Sequence, residues 1–390
     1  MTVSASVMTG KGTGAIATIQ LFGESADVVL KKIFKSAGAE KTFKTGTIHH
    51  GTIIENDEII DEVVIGCEGA GNFTINCHGN PLIVRKIMKL LAGFGVVPLT
   101  SEELLCKVLT SETAVNAIAV EAKLTQIKAK TLEGTKIIMN QIDAGLTAAA
   151  KNWLKNINTV SLDEIKTAAK SILSNSQTGK LIIFGCTAVI AGPVNTGKST
   201  LLNRLAGKPK AIVANVKGTT RDWISAECRL DPLLVTLIDT AGLYNEHQDV
   251  VGKMSREKTA QFLEKADLVL LVLDSSAAEN HIDRRVCEKI AGGKIITVLN
   301  KSDLPAEFDM AGLPESLANT VIQISAKFGT GIENLLQKIK ETLGVVNFGL
   351  KQPLCFTARQ ENLLTHLQKA RSKKQAIPLI TELLNGRLNG

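Results

Sequence analysis

The stretch Gly192–Thr200, GPVNTGKST, combines residue types that can hold a phosphate chain. Its first part fits GxxxxGK[ST]. It follows the apolar run Ala188–Ala191 and precedes Leu201–Leu205, which has helical spacing. Glycines let the backbone fold so that N–H groups converge on an anion. Lys198 is expected to reach the β and γ phosphates of a nucleotide, and the Ser199 hydroxyl to hold Mg²⁺. Asn195, Thr196, Gly197 and Thr200 complete the expected phosphate-binding stretch.

Later segments choose the base. In LIDTAG (237–242) an apolar run ends at Asp239, which can join the Mg²⁺ shell directly or through water. Thr240 and Ala241 lead to Gly242, whose N–H can meet the γ phosphate, so the following loop can sense hydrolysis. VLNKSD (298–303) places Asn300, Lys301 and Asp303 at another strand end. The Asp303 carboxylate can accept from N1–H and the 2-amino group of guanine. Adenine offers no such donor pair, and an unpaired buried carboxylate disfavours ATP. ISAKFGTG (324–331) supplies Ser325, Ala326 and Lys327, with backbone N–H for the guanine O6. The expected ligands are GTP and GDP. Between Lys198 and Asp239 lies NVKGTTRDW (215–223), where Thr219 or Thr220 can complete the Mg²⁺ shell; position favours Thr220.

Asn195 raises a separate question. Phosphoryl transfer through a loose transition state needs added positive charge or a water-positioning Gln. No Gln follows Gly242; the next residues are Leu243, Tyr244 and Asn245. An Asn195 side-chain oxygen near the phosphates can ligate a monovalent cation, and K⁺ would then supply the charge of an arginine finger. The alternative is an Asn that only hydrogen-bonds inside its loop. The expected catalytic residues are Asn195, Lys198 and Thr220, with Ser199, Thr220 and Asp239 on Mg²⁺.

These residues need a scaffold. From 181 to 346 strands alternate with helices, which predicts a parallel sheet with crossovers. Residues 1–112 alternate β-rich runs with turns and predict a small α+β domain. They include strands at 15–23 and 72–80, paired strands within 51–69, and helices at 26–35 and 81–95. Residues 113–180 have apolar positions three and four apart and predict bundle helices, with Ser161 and Glu164 as a capping box. Residues 347–390 are helical again, with Pro378 as a break or a new start.

Composition sets bounds. The 390 residues are 44% hydrophobic and 4% aromatic, with a net charge of +7. Few aromatics argue against a surface that stacks many bases, while a mild basic excess suits an anionic partner. The 7 cysteines show no CxxC pair, which fits a reducing compartment. The opening MTVSASVMTGKGTG lacks a signal-peptide pattern, and no apolar run reaches the ~18 residues of a membrane span. The longest, such as 181–191, are strand-sized. A cytoplasmic protein without a membrane segment is expected.

Taken together, AGPVNTGKSTLLNRLAG, GTTRD, DTAGL, NKSDL and SAKFGTGI resemble the tRNA wobble-uridine modification GTPases of the MnmE or TrmE family. TGKGTGAIATIQLFG (9–23), CHGNPLIVRKIMKLL (77–91) and TARQENLL (357–364) are similar to that family's opening strand, HGG-P turn and helix re-entry. The resemblance implies a multidomain α/β fold. A P-loop GTPase domain is inserted in a helical domain, preceded by a small α+β, folate-binding-like domain that dimerises. It implies K⁺-assisted GTP hydrolysis, a folate derivative as one-carbon donor, tRNA as substrate, and a flavin-dependent partner (MnmG or GidA). The family's Cys-x-Gly-Lys motif has no counterpart in ELLNGRLNG (382–390), and its catalytic Glu aligns with Gly252, near the unmatched Glu246 and Asp249. These departures imply an alternative: a GTP-dependent regulatory or scaffold paralogue without one-carbon chemistry. A ribosome-assembly GTPase is a further alternative.

Overall fold

The computed structural model describes residues 2–10, 12–38, 42–111, 116–207, 224–239, 263–278 and 293–386. Thr219, Thr220, Thr240, Ala241, Gly242, Glu246, Asp249 and Gly252 lie outside these residues. The chain divides into two compact units, Met1–Leu124 with Asn385–Gly390, and Thr125–Leu384.

The first unit is a sheet with helices against it. Its strands are β1 (Ser4–Val7), β2 (Ile16–Phe22), β3 (Phe34–Ser36), β4 (Ile48–Glu55), β5 (Glu58–Gly69), β6 (Asn72–His78) and β7 (Val97–Pro98). The helices are α1 (Ala26–Ile33), α2 (Pro81–Gly93) and α3 (Ser101–Ser111). Strand order is β3-β4-β5-β6-β2-β1-β7, with β1 and β7 parallel and the other pairs antiparallel. Side chains alternate in and out along β5: Val63, Ile65 and Cys67 are buried, while Glu62, Val64 and Glu68 are exposed. The buried face meets Leu30 and Ile33 of α1 and Ile87 and Leu91 of α2. The β4–β5 hairpin turns at Asn56 and Asp57, with φ of 50° and 67°, where Asn and Asp are tolerated best. Asn80 caps α2 by accepting from the Leu82 N–H, with Pro81 in the first turn.

α3 is not among the helices expected above, although its buried Leu104, Val108 and Leu109 fall at helical spacing. A local device starts it: Thr100 Oγ1 accepts from the Glu103 N–H at 3.2 Å, and Glu103 Oε2 accepts from the Thr100 N–H at 2.8 Å.

α4 (Ala117–Gln126) follows α3 in the chain. The second unit continues with α5 (Leu132–Asp143), α6 (Gly145–Lys155) and α7 (Leu162–Phe184). α7 opens with the expected Ser161–Glu164 capping box. A sheet follows, of β8 (Cys186–Ala191), β9 (Ile224–Leu230), β10 (Leu233–Asp239), β11 (Leu268–Asp274), β12 (Ile295–Asn300) and β13 (Val321–Gln323). With it come α8 (Lys198–Ala206), the short α9 (Glu315–Ala318) and α10 (Ile332–Leu343). α11 (Ala358–Gln368) and α12 (Lys373–Asn385) close the chain.

Sheet order is β13-β12-β11-β8-β10-β9. Every pair is parallel except β9–β10, so the expected all-parallel sheet carries an antiparallel edge. Only Asp231 and Pro232 join those two strands, and so short a link must reverse the chain. The apolar run 181–191 is not one strand. Its first part ends α7, and the chain turns at Gly185, with φ of 76° and room for no Cβ: one would stand 2.8 Å from the Leu234 carbonyl. Pro378 neither breaks nor starts a helix. α12 runs through it, held by its buried face of Ala376, Ile380, Leu383 and Leu384, which offsets the missing N–H.

Helices from either side of the sheet region pack together. Gln141 of α5 is fully buried. Its Oε1 accepts from the Leu146 and Leu354 N–H groups at 2.8 and 3.2 Å, and its Nε2 donates to the Ile137 and Gln352 carbonyls. Ser176 Oγ of α7 accepts from the Cys355 N–H at 2.7 Å. Among the described residues, no helix is long and apolar enough to cross a membrane.

Candidate nucleotide site

Parallel strands put their carboxyl ends on one edge, where open α/β sheets bind ligands. β8, β10 and β12 end there at Ala191, Asp239 and Asn300. The loop after β8 is closely approached at two glycines, by backbone at one and by a side chain at the other. A Cβ on Gly192 would lie 2.1 Å from the Val272 carbonyl, and one on Gly197 would lie 2.3 Å from Asn300 Nδ2. Asn195 between them is exposed and holds φ of 63°, a left-handed conformation that Asn tolerates better than most residues.

α8 starts at Lys198 directly after Gly197. Lys198 is buried, and its Nζ donates to the Gly192 and Pro193 carbonyls at 2.9 and 2.6 Å. Burial pulls its pKa below the ordinary lysine value, with Asp239 opposing that shift. Thr196 Oγ1 ties the loop to itself through the Pro193 carbonyl at 3.0 Å. Ser199 Oγ donates to Asp239 Oδ2 at 2.6 Å, and Thr200 beside it is exposed. A hydroxyl and a carboxylate side by side are hard oxygen donors, a set that suits Mg²⁺.

Asn300 is buried and joins two loops. Its Nδ2 donates to the Thr196 carbonyl at 2.8 Å, and its Oδ1 accepts from the Ala326 N–H at 2.9 Å. Lys301 follows with φ of 65°, and its Nζ donates to Asp274 Oδ2 at 2.5 Å. Asp274 also accepts from the Ser276 N–H and hydroxyl. Burial raises the Asp274 pKa, but the bonds from Lys301 and Ser276 outweigh it and leave the group below the usual carboxylate range. Asp303 stands exposed in the turn after Lys301. Ser325 and Ala326 are buried while Lys327 is exposed, its ammonium 5.0 Å from the centre of the Phe328 ring.

The fold thus brings Asn195 to Thr200, Asp239, Asn300, Lys301, Asp303 and Ser325 to Lys327 to one sheet edge. Two residues outside the sequence motifs join them. Asp274 anchors Lys301; its signal was an acidic residue ending the apolar run LVLLVLD, as Asp239 ends LLVTLID. Arg204 of α8 donates to the Ala326 and Lys327 carbonyls, and nothing local in the sequence marks it.

The first unit has a feature of its own. The His78 Nδ1 and N–H both bond the buried Asp61 carboxylate, at 2.7 and 2.8 Å. His78 lines a cavity of about 520 Å³ with Thr13, Gly14, Gly79 and Asn80.

Comparison with known proteins agrees with these two units. Residues 187–301 match the family described as 50S ribosome-binding GTPase, and residues 2–99 match GTP-binding protein TrmE N-terminus. The chain is 31% identical over 375 residues to tRNA modification GTPase MnmE of Enterococcus faecalis, covering 86% of this chain and 80% of the relative. It is 30% identical over 411 residues to the MnmE of Thermotoga petrophila, covering 96% and 90%. Among solved structures, the G domain of the T. maritima FeoB iron transporter is 29% identical, covers 40% of this chain and 98% of its own, and has a TM-score of 0.31. The protein is therefore a GTP-binding, GTP-hydrolysing enzyme, and its chain belongs to the MnmE family of tRNA modification GTPases.

Proposed function

We propose that GTP hydrolysis by this protein is K⁺-assisted and drives modification of the tRNA wobble uridine. The observation that carries the K⁺ reading is Asn195, exposed in a left-handed turn of the phosphate loop and three residues before the buried Lys198. In this reading Lys198 meets the β and γ phosphates. Ser199, Asp239 and Thr220 hold Mg²⁺, and Asn195 holds K⁺. Gly197, Thr196, Thr200, Thr219, Thr240, Ala241 and Gly242 complete the phosphate and switch contacts. Asn300, Lys301, Asp303 and Ser325 to Lys327 hold guanine. Bound Mg²⁺ and K⁺ supply positive charge where it builds up on the transferred phosphoryl group.

The domains we assign are an N-terminal α+β domain (1–112), a helical domain (113–180 and 347–390) and a G domain (181–346) inserted in it. The N-terminal domain dimerises and takes a folate derivative. The His78 cavity, with an imidazole backed by Asp61, suits a flat polar ring. A flavin-dependent partner of the MnmG type and tRNA complete the system, in the cytoplasm.

Two measurements test this. GTP turnover is expected to be faster in K⁺ than in Na⁺; equal rates would remove the K⁺ assignment. Cells lacking the gene are expected to accumulate unmodified wobble uridine; fully modified tRNA would remove the substrate assignment.

A further inference from the structure

Arg204 sits in the last turn of α8, the helix that begins at Lys198. Its Nε donates to the Ala326 carbonyl at 3.0 Å and its Nη2 to the Lys327 carbonyl. A planar guanidinium suits such a two-point grip. The backbone donors of the gripped loop are nearly all committed. The Ser325 N–H goes to the Thr330 carbonyl at 3.0 Å, the Ala326 N–H to Asn300 Oδ1 at 2.9 Å, and the Phe328 N–H to Ser325 Oγ at 3.2 Å. Among the described residues the Lys327 N–H meets no acceptor.

That N–H shares a peptide plane with the Ala326 carbonyl. In a trans peptide the two groups point in opposite directions. Holding the carbonyl toward α8 therefore turns the Lys327 N–H away from α8.

We infer that Arg204 is a positioning residue for base recognition, aiming the Lys327 N–H at the purine O6 through its hold on the Ala326 carbonyl. This rests on the reading of Ser325–Lys327 as the guanine loop. It links the two ends of the nucleotide mechanically, since one helix carries Lys198 at its start and Arg204 near its end.

The test uses three nucleotides on the full chain, by calorimetry. GDP has both the O6 acceptor and the 2-amino group. 6-Thio-GDP keeps N1–H and the 2-amino group but has a weaker acceptor at position 6. IDP keeps O6 and lacks the 2-amino group, so it reports on Asp303. The wild type is expected to prefer GDP over 6-thio-GDP by about tenfold, the scale of one hydrogen bond. Arg204→Ala should bring that preference to within about twofold and leave the GDP-to-IDP ratio unchanged. Arg204→Lys, which keeps a cation but loses the planar two-point fork, should fall between, and its ratios decide the matter where the alanine variant does not fold. An Arg204→Ala protein that keeps the wild-type preference, or that loses affinity for all three equally, overturns the inference. A wild type that does not separate the three nucleotides overturns the guanine-loop reading itself, and the role of Arg204 with it.

Discussion

Ser199 Oγ and Asp239 Oδ2 lie 2.6 Å apart, although 40 residues separate them in the chain. One comes from the start of α8 and the other from the end of β10, and the parallel pairing of β8 with β10 brings them level. Ser199→Ala and Asp239→Asn should each slow GTP hydrolysis by about 100-fold, since a metal's charge stabilisation amounts to several kcal/mol. A titration of the rate against Mg²⁺ checks this, with the midpoint expected at higher Mg²⁺ in both variants.

Asn195 stands in a left-handed backbone, and its amide oxygen is the K⁺ ligand of the proposed function. Two variants separate them. Asn195→Gly accepts the φ of 63° without strain and loses the oxygen. Asn195→Ala loses the oxygen and adds about 1 kcal/mol of strain. Both should lose the K⁺-over-Na⁺ rate ratio, while only the alanine variant should melt earlier. A glycine variant that retains the ratio would show that Asn195 serves the backbone alone.

Asp303→Asn should move preference from guanine to xanthine. The amide offers a donor where the carboxylate accepted, and that donor suits the carbonyl at position 2 of xanthine. Competition between GDP and XDP for the same site checks it, with a reversal of about 100-fold expected because the two guanine donors lose a charged acceptor and the xanthine carbonyl gains a donor.

The buried Lys198 ammonium works against stability. Its pKa is lowered in the folded chain, so the charged form is less favourable there than in the unfolded chain. Below the folded value both states are protonated and the penalty is fully present. It fades as pH rises through the folded value toward about 10.4, the ordinary lysine value. Lys198→Met should therefore raise Tm at pH 7, by about 2–4 °C for each kcal/mol relieved. It should also abolish GTP binding. The gain over wild type should shrink in melts run at higher pH.

Gln141 anchors the helical part of the second unit. Gly145, with φ of 45°, leaves no space for a Cβ, which would stand 2.2 Å from Gln141 Oε1. Gln141→Leu keeps the volume but leaves the Leu146 and Leu354 N–H groups buried without acceptors. The expected loss is roughly 2–4 kcal/mol, read from urea unfolding. Nucleotide affinity should be unchanged, because the site stands on the sheet.

The gathering of the motif residues at one sheet edge was legible in the sequence because they act through the backbone beside them. Gly192 and Gly197 announce tight turns, Lys198 and Ser199 open a helix, and Asp239 and Asn300 end apolar runs that can only be buried strands. Such patterns need no knowledge of distant contacts. Tertiary structure alone decided what those patterns leave unpaired. The antiparallel edge at β9, the passage of α12 through Pro378 and the end of α7 at Phe184 depend on which faces find partners. The reach of Asn300 from Thr196 to Ala326 and the grip of Arg204 on the same loop depend on strand order, which sets neighbours irrespective of sequence distance. Local chemistry names the groups that can bind; only packing determines which of them meet.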